Sequence, residues 1–203
     1  MEVHALAVPD AYRIVPRRLG DERGCFFEAY RHDVLRELTG HAFTPRQVNY
    51  SVSRRGTLRG IHGVSIPPGQ AKYVSCVRGA VLDIVVDIRP GSPSFGVYAV
   101  NRLDAETGVS VYVAEGLGHG FVALTDDACV SYLCSTEYVP GTAFEVDPLD
   151  PALALPWALV GPPLMSAKDA GAPGVAAAER LGLLATYAEC TAYYERRRAA
   201  VAV

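Results

Sequence analysis

The sequence predicts an all-β protein, a double-sheet jelly roll with short helices near its N- and C-termini. Three observations carry this expectation. The 19 glycines and 14 prolines are spread along the chain, which favours many short strands joined by turns. Between residues 73 and 134, apolar runs and turn signals recur at roughly the 8–12-residue spacing of a β-sandwich or barrel. Helical periodicity is confined to the ends, and a jelly roll closes its edges without helices.

The elements follow in order. Arg31–Leu38 sets Val34, Leu35 and Leu38 on one helical face, with Gly40 as a stop. Tyr73–Val77 is a strand, Arg78-Gly79 a turn and Ala80–Ile88 a strand, broken by Pro90-Gly91-Ser92-Pro93. Phe95–Leu103, Val109–Val113, Gly120–Leu124 and Ala128–Ser135 follow, separated by Asp104–Gly108, a Gly-rich loop and Asp126-Asp127. Leu82, Ile84, Val86 and Ile88 alternate with Asp83, Val85 and Asp87, as where one strand face meets a core. Val175–Leu184 and Ala188–Ala200 read as helices, with Arg196, Arg197 and Arg198 as a solvated end near the negative pole of the dipole.

The 203 residues suit a single domain, with a jelly-roll core over residues 45–160 and a helical tail over 174–203. A net charge of −3 gives no ground for a nucleic-acid or membrane partner. A phosphate-bearing ligand therefore has to be met by a local basic cluster. The N-terminus lacks an apolar signal core, and no run of about 18 apolar residues could span a bilayer. Cys25, Cys76, Cys129, Cys134 and Cys190 are odd in number and show no CxxC spacing. They read as reduced thiols of a cytoplasmic protein.

Three places could carry chemistry. Residues 54–73 gather Arg59, His62, Gln70 and Lys72 around a Pro-Pro-Gly turn, so anion binding and a base could share one site. In a regular strand Arg59 and Ile61 share a face and His62 takes the other, unless a bulge at Gly60 or Gly63 re-aims them. Gly116-Leu117-Gly118-His119-Gly120 is the second place, where glycines would let a ligand approach the backbone. A metal centre needs several converging His or carboxylate ligands, usually seeded by His-x-His, and His62 is followed by Gly63-Val64 instead. The third is Tyr132, which alternation places with Val130 and Cys134 on the inner face. A buried Tyr is ordinarily packing, but with His62 it offers an acid and a base on opposite walls of one cavity.

These blocks resemble the dTDP-4-dehydrorhamnose 3,5-epimerase family, and within it the antibiotic-sugar branch of 3- or 5-epimerases. The resemblance runs from about Asp21 to Asp169. It is carried by Asp21-Glu22-Arg23-Gly24 with Glu28, Gln47-Val48-Asn49, Leu58-Arg59-Gly60-Ile61-His62, Gln70-Ala71-Lys72 and Asp87-Ile88-Arg89. Gly118-His119-Gly120-Phe121, Tyr132, Tyr138 with Pro140, Asp150-Pro151 and Lys168-Asp169 complete it. The resemblance implies a cupin-type jelly-roll homodimer that needs no cofactor and binds a dTDP-linked 4-keto-6-deoxyhexose. It further implies His62 as base, oriented by Asp169, Lys72 near the C4 oxygen, and Tyr132 as acid on the other face. Arg23 and Arg59 would take the diphosphate, Tyr138 would stack on thymine, and Glu28, Gln47, Val48, Asn49, His119 and Lys168 would complete the binding site. Two departures stand out: Ala143 where the family commonly has Glu, with Glu145 nearby, and Gly63-Val64 where bulkier residues are usual.

The residue types suit that chemistry. A hydrogen beside the C4 ketone is acidic because the oxygen can accept the charge as an enolate. Removing it takes a base such as imidazole, and the developing oxyanion needs a positive or donor group in a dry site. Inversion requires return of a proton from the opposite face. The competing expectations are a nucleotide-sugar-binding cupin without turnover and a 3,4-ketoisomerase on the same substrate class.

Overall fold

In a computed structural model, residues 1–200 are described; the last three residues of the predicted tail lie outside them. In chain order the elements are β1 (Glu2–Ala5), β2 (Ala11–Val15), β3 (Leu19–Asp21), β4 (Gly24–Phe26) and α1 (His32–Thr39). Then come β5 (Gln47–Ser53), β6 (Leu58–Val64), β7 (Lys72–Arg78), β8 (Ala80–Val86) and β9 (Tyr98–Asp104). The chain continues through β10 (Ser110–Val113), β11 (Gly118–Ala123), β12 (Ala128–Cys134), β13 (Ala143–Glu145), α2 (Ala167–Ala170), α3 (Val175–Arg180) and α4 (Tyr187–Ala199).

Two antiparallel sheets face each other in the expected jelly roll. One has the order β1-β2-β10-β7-β12-β5 and the other β13-β6-β11-β8-β9, while β3 and β4 pair as a separate hairpin. Val74, Val85, Val111, Phe121 and Val130 pack between the sheets. Each such side chain contributes about 1.5–3 kcal/mol when fully buried.

The alternation along β8 has a fuller meaning than one buried face. Val81 and Val85 point between the sheets, whereas Ile84, Val86 and Ile88 belong to a second cluster with Trp157, Val175, Ala178 and Leu184. The C-terminal segments thus cover the outer face of the five-stranded sheet, so both faces of β8 are dry. Asp83, on the inner face, is fully buried.

The remaining boundaries shift for local reasons. The strand expected from Phe95 starts at Tyr98, because Ser92 and Ser94 both donate their hydroxyls to Asp87 and hold the preceding residues in a turn. The helix expected to reach Leu184 ends at Arg180, and Gly182 follows with φ +67°. Gly40 does terminate α1 in the left-handed conformation, at φ +73°. The Arg run of α4 is not simply solvated. Arg197 donates to the buried Glu115 carboxylate at 2.7 Å and Arg198 to the Thr39 carbonyl at 3.1 Å, tying α4 to the barrel and to α1.

Cys76, Cys134 and Cys190 are buried and Cys129 half-buried, but Cys25 is exposed on the β3–β4 hairpin. None of the five is paired. No described helix is long and apolar enough to cross a membrane.

Candidate active site

The site forms where β6 departs from regular pairing. His119 lies opposite His62 and Phe121 opposite Arg59, so two steps along β11 face three along β6. The extra residue is a bulge, and it turns Arg59 and His62, three apart, into the same cavity. Glycine permits it at position 60: φ is +124°, and a Cβ there would lie 2.6 Å from Gly120 Cα and 2.8 Å from the His119 carbonyl oxygen. The sequence left the face of His62 open between two choices; the bulge decides it.

The inner cavity, of about 230 Å³, lies between the sheets. Arg59 and His62 of β6 and His119 and Phe121 of β11 meet Asn49 and Ser51 of β5, Lys72 of β7, and Tyr132 and Cys134 of β12. A second space of about 200 Å³ continues outward past His62, Gln70 and Lys72 to Tyr138, Thr142 and Glu145. His62 and Tyr132 therefore share one cavity, on opposite sheets.

Each polar group is held by its own local structure. Asp169 sits on the one-turn helix α2, where Ser166 Oγ accepts its amide hydrogen at 3.0 Å. Its carboxylate meets His62 Nε2 at 2.6 Å. A carboxylate only accepts, so Nε2 carries a hydrogen, and in the neutral form of the ring the lone pair is then on Nδ1. Burial alone would raise the Asp169 carboxyl; the hydrogen bond and charge of His62, with Ser166 and Arg59, outweigh it and hold the carboxyl below its ordinary range.

Tyr132 is enclosed, and its only hydroxyl partner among the described residues is Ser51 Oγ at 3.3 Å. Burial, with the Asp83 charge adding to it and the Ser51 hydrogen bond opposing, raises the phenol well above its ordinary pKa. Its proton is thus fully present at neutral pH. Burial pulls the Lys72 ammonium the other way, below its ordinary value, with Cys134 opposing. His119 donates or shares a proton with Asp83 across 2.5 Å and stands edge-on to the Tyr132 ring. Arg59 is aimed by Ser53 Oγ at 3.0 Å and the Val52 carbonyl.

The other expected residues divide sharply. Gln47 supports the site from outside: its amide donates to Asn49 Oδ1 at 2.8 Å and its carbonyl accepts the Tyr138 amide at 2.7 Å. Tyr138 stands exposed at the outer mouth. Lys168 is ion-paired with Glu145, which lies opposite His62 on β13. Val48 points away from the cavity, because alternation along β5 sends Asn49 and Ser51 inward and Val48, Tyr50 and Val52 to an exposed face. Arg23 and Glu28 are not at this site within the chain. Arg23 sits at the tip of the exposed β3–β4 hairpin, bonded to Asp21, and Glu28 pairs with Arg31.

Two glycine expectations change. Gly118 and Gly120 admit protein, not ligand: added Cβ atoms would strike Ile61 Cγ2 at 2.5 Å and the Arg59 carbonyl oxygen at 2.8 Å. Gly63 does not widen the cavity either, since the Phe144 ring fills its side-chain space at 2.2 Å. Ala143 is exposed on β13, and Glu145 is the carboxylate that this strand brings to the cleft. Among the described residues, no group of three or more His, Cys, Asp or Glu could hold a metal ion. Asp83 and Ser51 are functional candidates that sequence reasoning did not single out; a lone carboxylate inside the apolar run of β8 was the available signal.

Comparison with known proteins identifies the family. Residues 5–177 match the family model described as dTDP-4-dehydrorhamnose 3,5-epimerase. A dTDP-4-dehydrorhamnose 3,5-epimerase of Mycolicibacterium smegmatis is 46% identical over 198 residues, covering 98% of each chain. The solved structure of ChmJ, a 3'-monoepimerase from Streptomyces bikiniensis in complex with dTDP-quinovose, superposes with a TM-score of 0.93. It is 48% identical and covers 96% of this chain and 98% of its own. NovW, a 4-keto-6-deoxy sugar epimerase from the novobiocin gene cluster of Streptomyces spheroides, gives 0.91 at 47% identity, covering 94% and 95%. With a family model and near full-length relatives in agreement, the chain belongs to the dTDP-4-dehydrorhamnose 3,5-epimerase family and is an isomerase.

Proposed function

We propose that the protein inverts C3, C5 or both in a dTDP-linked 4-keto-6-deoxyhexose, with His62 as base and Tyr132 as acid. The observation that carries this reading is the convergence of the Asp169-held imidazole and the half-buried, protonated phenol on one cavity that also contains Lys72. His62 Nδ1 takes the hydrogen beside the ketone, and the C–H electrons move onto the C4 oxygen. The Lys72 ammonium stabilises that oxyanion, and a site shielded from water makes such stabilisation worth several kcal/mol, roughly 3–4 for one donor. The enolate then collapses, taking the Tyr132 proton on the face opposite His62. Imidazolium and phenolate are left, and exchange with solvent resets both.

Arg59 is assigned to the diphosphate, Tyr138 to the thymine ring, and Asn49, His119 and Lys168 to the remaining polar contacts. Arg23 and Glu28 fit the reading only if supplied by a second copy, which supports a homodimer. The exposed Val48, Tyr50 and Val52 on the edge strand β5, with Leu19 and Phe26 on the hairpin, offer apolar surface for that contact. Sedimentation equilibrium giving the mass of one chain would overturn the dimer. Five unpaired thiols suit a cytoplasmic enzyme.

The activity is tested by incubating the protein with dTDP-4-keto-6-deoxyglucose and following the product by proton NMR. An epimer is expected, read from altered ring coupling constants with the ketone still at C4. A carbonyl moved to C3 would show a ketoisomerase, and unchanged substrate would show a binder.

A further inference from the structure

Gln70 has no place in the acid–base pair, yet it lines both the inner cavity and the outer space. Among the described residues only His62 and Lys72 share that position. It stands just before β7, after the Pro67-Pro68-Gly69 turn, and the structure fixes which way its amide points. Nε2 lies 2.9 Å from the Thr136 carbonyl oxygen, and a carbonyl can only accept, so the NH₂ group faces Thr136. The Thr136 hydroxyl donates to the Gly69 carbonyl at 2.9 Å, which leaves its oxygen to accept the second, longer Gln70 contact at 3.4 Å. Oε1 is then turned away from Thr136. Among the described residues no donor reaches it, and it is not among the buried atoms sealed without a partner.

The neighbouring acceptors of the inner cavity each already hold one partner. Asn49 Oδ1 takes the Gln47 amide, and the Ser51 and Tyr132 hydroxyls bond each other. Arg59 and Lys72 are donors only. Gln70 thus brings a neutral acceptor without a protein partner to the wall it shares with His62 and Lys72. A sugar carbon that bears both a removable hydrogen and a hydroxyl, next to the C4 ketone, matches these three groups together. C3 is such a carbon. C5 carries a methyl group and the ring oxygen and has nothing to donate.

Resting on the epimerase reading, we propose that Gln70 is a specificity-determining residue: its Oε1 accepts the C3 hydroxyl and so presents the C3 hydrogen to His62 in preference to the C5 hydrogen. The hydroxyl keeps its proton throughout, so the role is binding and orientation.

The test compares wild type with Q70L in D2O, using dTDP-4-keto-6-deoxyglucose and resolving deuterium uptake at C3 and at C5 by NMR. Losing one hydrogen bond to a neutral group is expected to slow C3 uptake about tenfold. C5 uptake should stay within about threefold or rise, so the C3-to-C5 ratio falls. Equal loss at both carbons, or no loss at C3, overturns the proposal. Binding of dTDP, which lacks the sugar, reports that Q70L is folded; should Q70L fail to bind it, Q70N draws the amide back by one methylene and carries the same expectation. Absence of uptake at both carbons in wild type would overturn the epimerase reading itself, and that result is distinct from a Q70L effect.

Discussion

His62→Asn is expected to remove deuterium uptake at every sugar carbon, by a factor of about 10²–10⁴, the range supplied by a positioned general base. The reason lies in the arrangement around the ring. Asp169 occupies Nε2 at 2.6 Å, so Nδ1 alone is available to take a proton. Asparagine keeps a polar side chain on the cavity wall but ends about where Nδ1 stands, short of Asp169, and its amide nitrogen is no base. Lys72 is assigned to the oxyanion as its ammonium, and two further groups of the inner cavity are poor substitutes. Tyr132 is held protonated by burial, and His119 is engaged with Asp83. Uptake in the variant within tenfold of wild type would assign the base elsewhere, whereas dTDP affinity should be nearly unchanged.

Tyr132→Phe is expected to suppress inversion by about 10²-fold or more while exchange at the same carbon falls far less. The two events separate because His62 can return a proton, by then exchanged with solvent, to the face from which it came. Such a return gives label without inversion. The opposite face requires a group that still holds its proton at working pH. Burial meets that need by raising the phenol, so its acid form persists to higher pH than that of a free tyrosine. The variant loses the hydroxyl and the 3.3 Å contact to Ser51, while the ring packing against His119 can remain. Parallel loss of inversion and exchange would place the acid elsewhere or give Tyr132 a role in binding.

The strands between residues 73 and 134 were legible because alternation and turn residues are local signals. Val130, Tyr132 and Cys134 share the inner face for that reason, and Gly40 ends α1 as its lack of a Cβ allows. The residues before 73 were less readable. β5 is an edge strand whose outward positions are Val48, Tyr50 and Val52, so its apolar pattern points away from the core. β6 carries the bulge that breaks period-two alternation, and periodicity could not say which face His62 takes.

Long-range pairings were also hidden. Asp83 reads as a polar position in an apolar strand, yet a neighbouring strand places His119 against it. Arg197 reads as part of a solvated basic end, yet its partner is Glu115, far back in the chain. His62 and Tyr132 were read from the residues as a base and an acid, with the roles of Lys72 and Asp169 added by family resemblance; the fold adds why they meet. Arg23 and Glu28 came from the same resemblance, and within one chain they stay apart from the cavity.

The central claim is that two groups, one on each sheet, act on opposite faces of a sugar made acidic by its ketone. It is tested most directly by letting the wild-type protein turn over dTDP-4-keto-6-deoxyglucose in D2O and reading the configuration and isotope of the product together. The account predicts an inverted centre that carries deuterium from its first appearance. Inversion with the original hydrogen retained would contradict it, because no proton would then have passed from a solvent-exchanged phenol to the face opposite the imidazole.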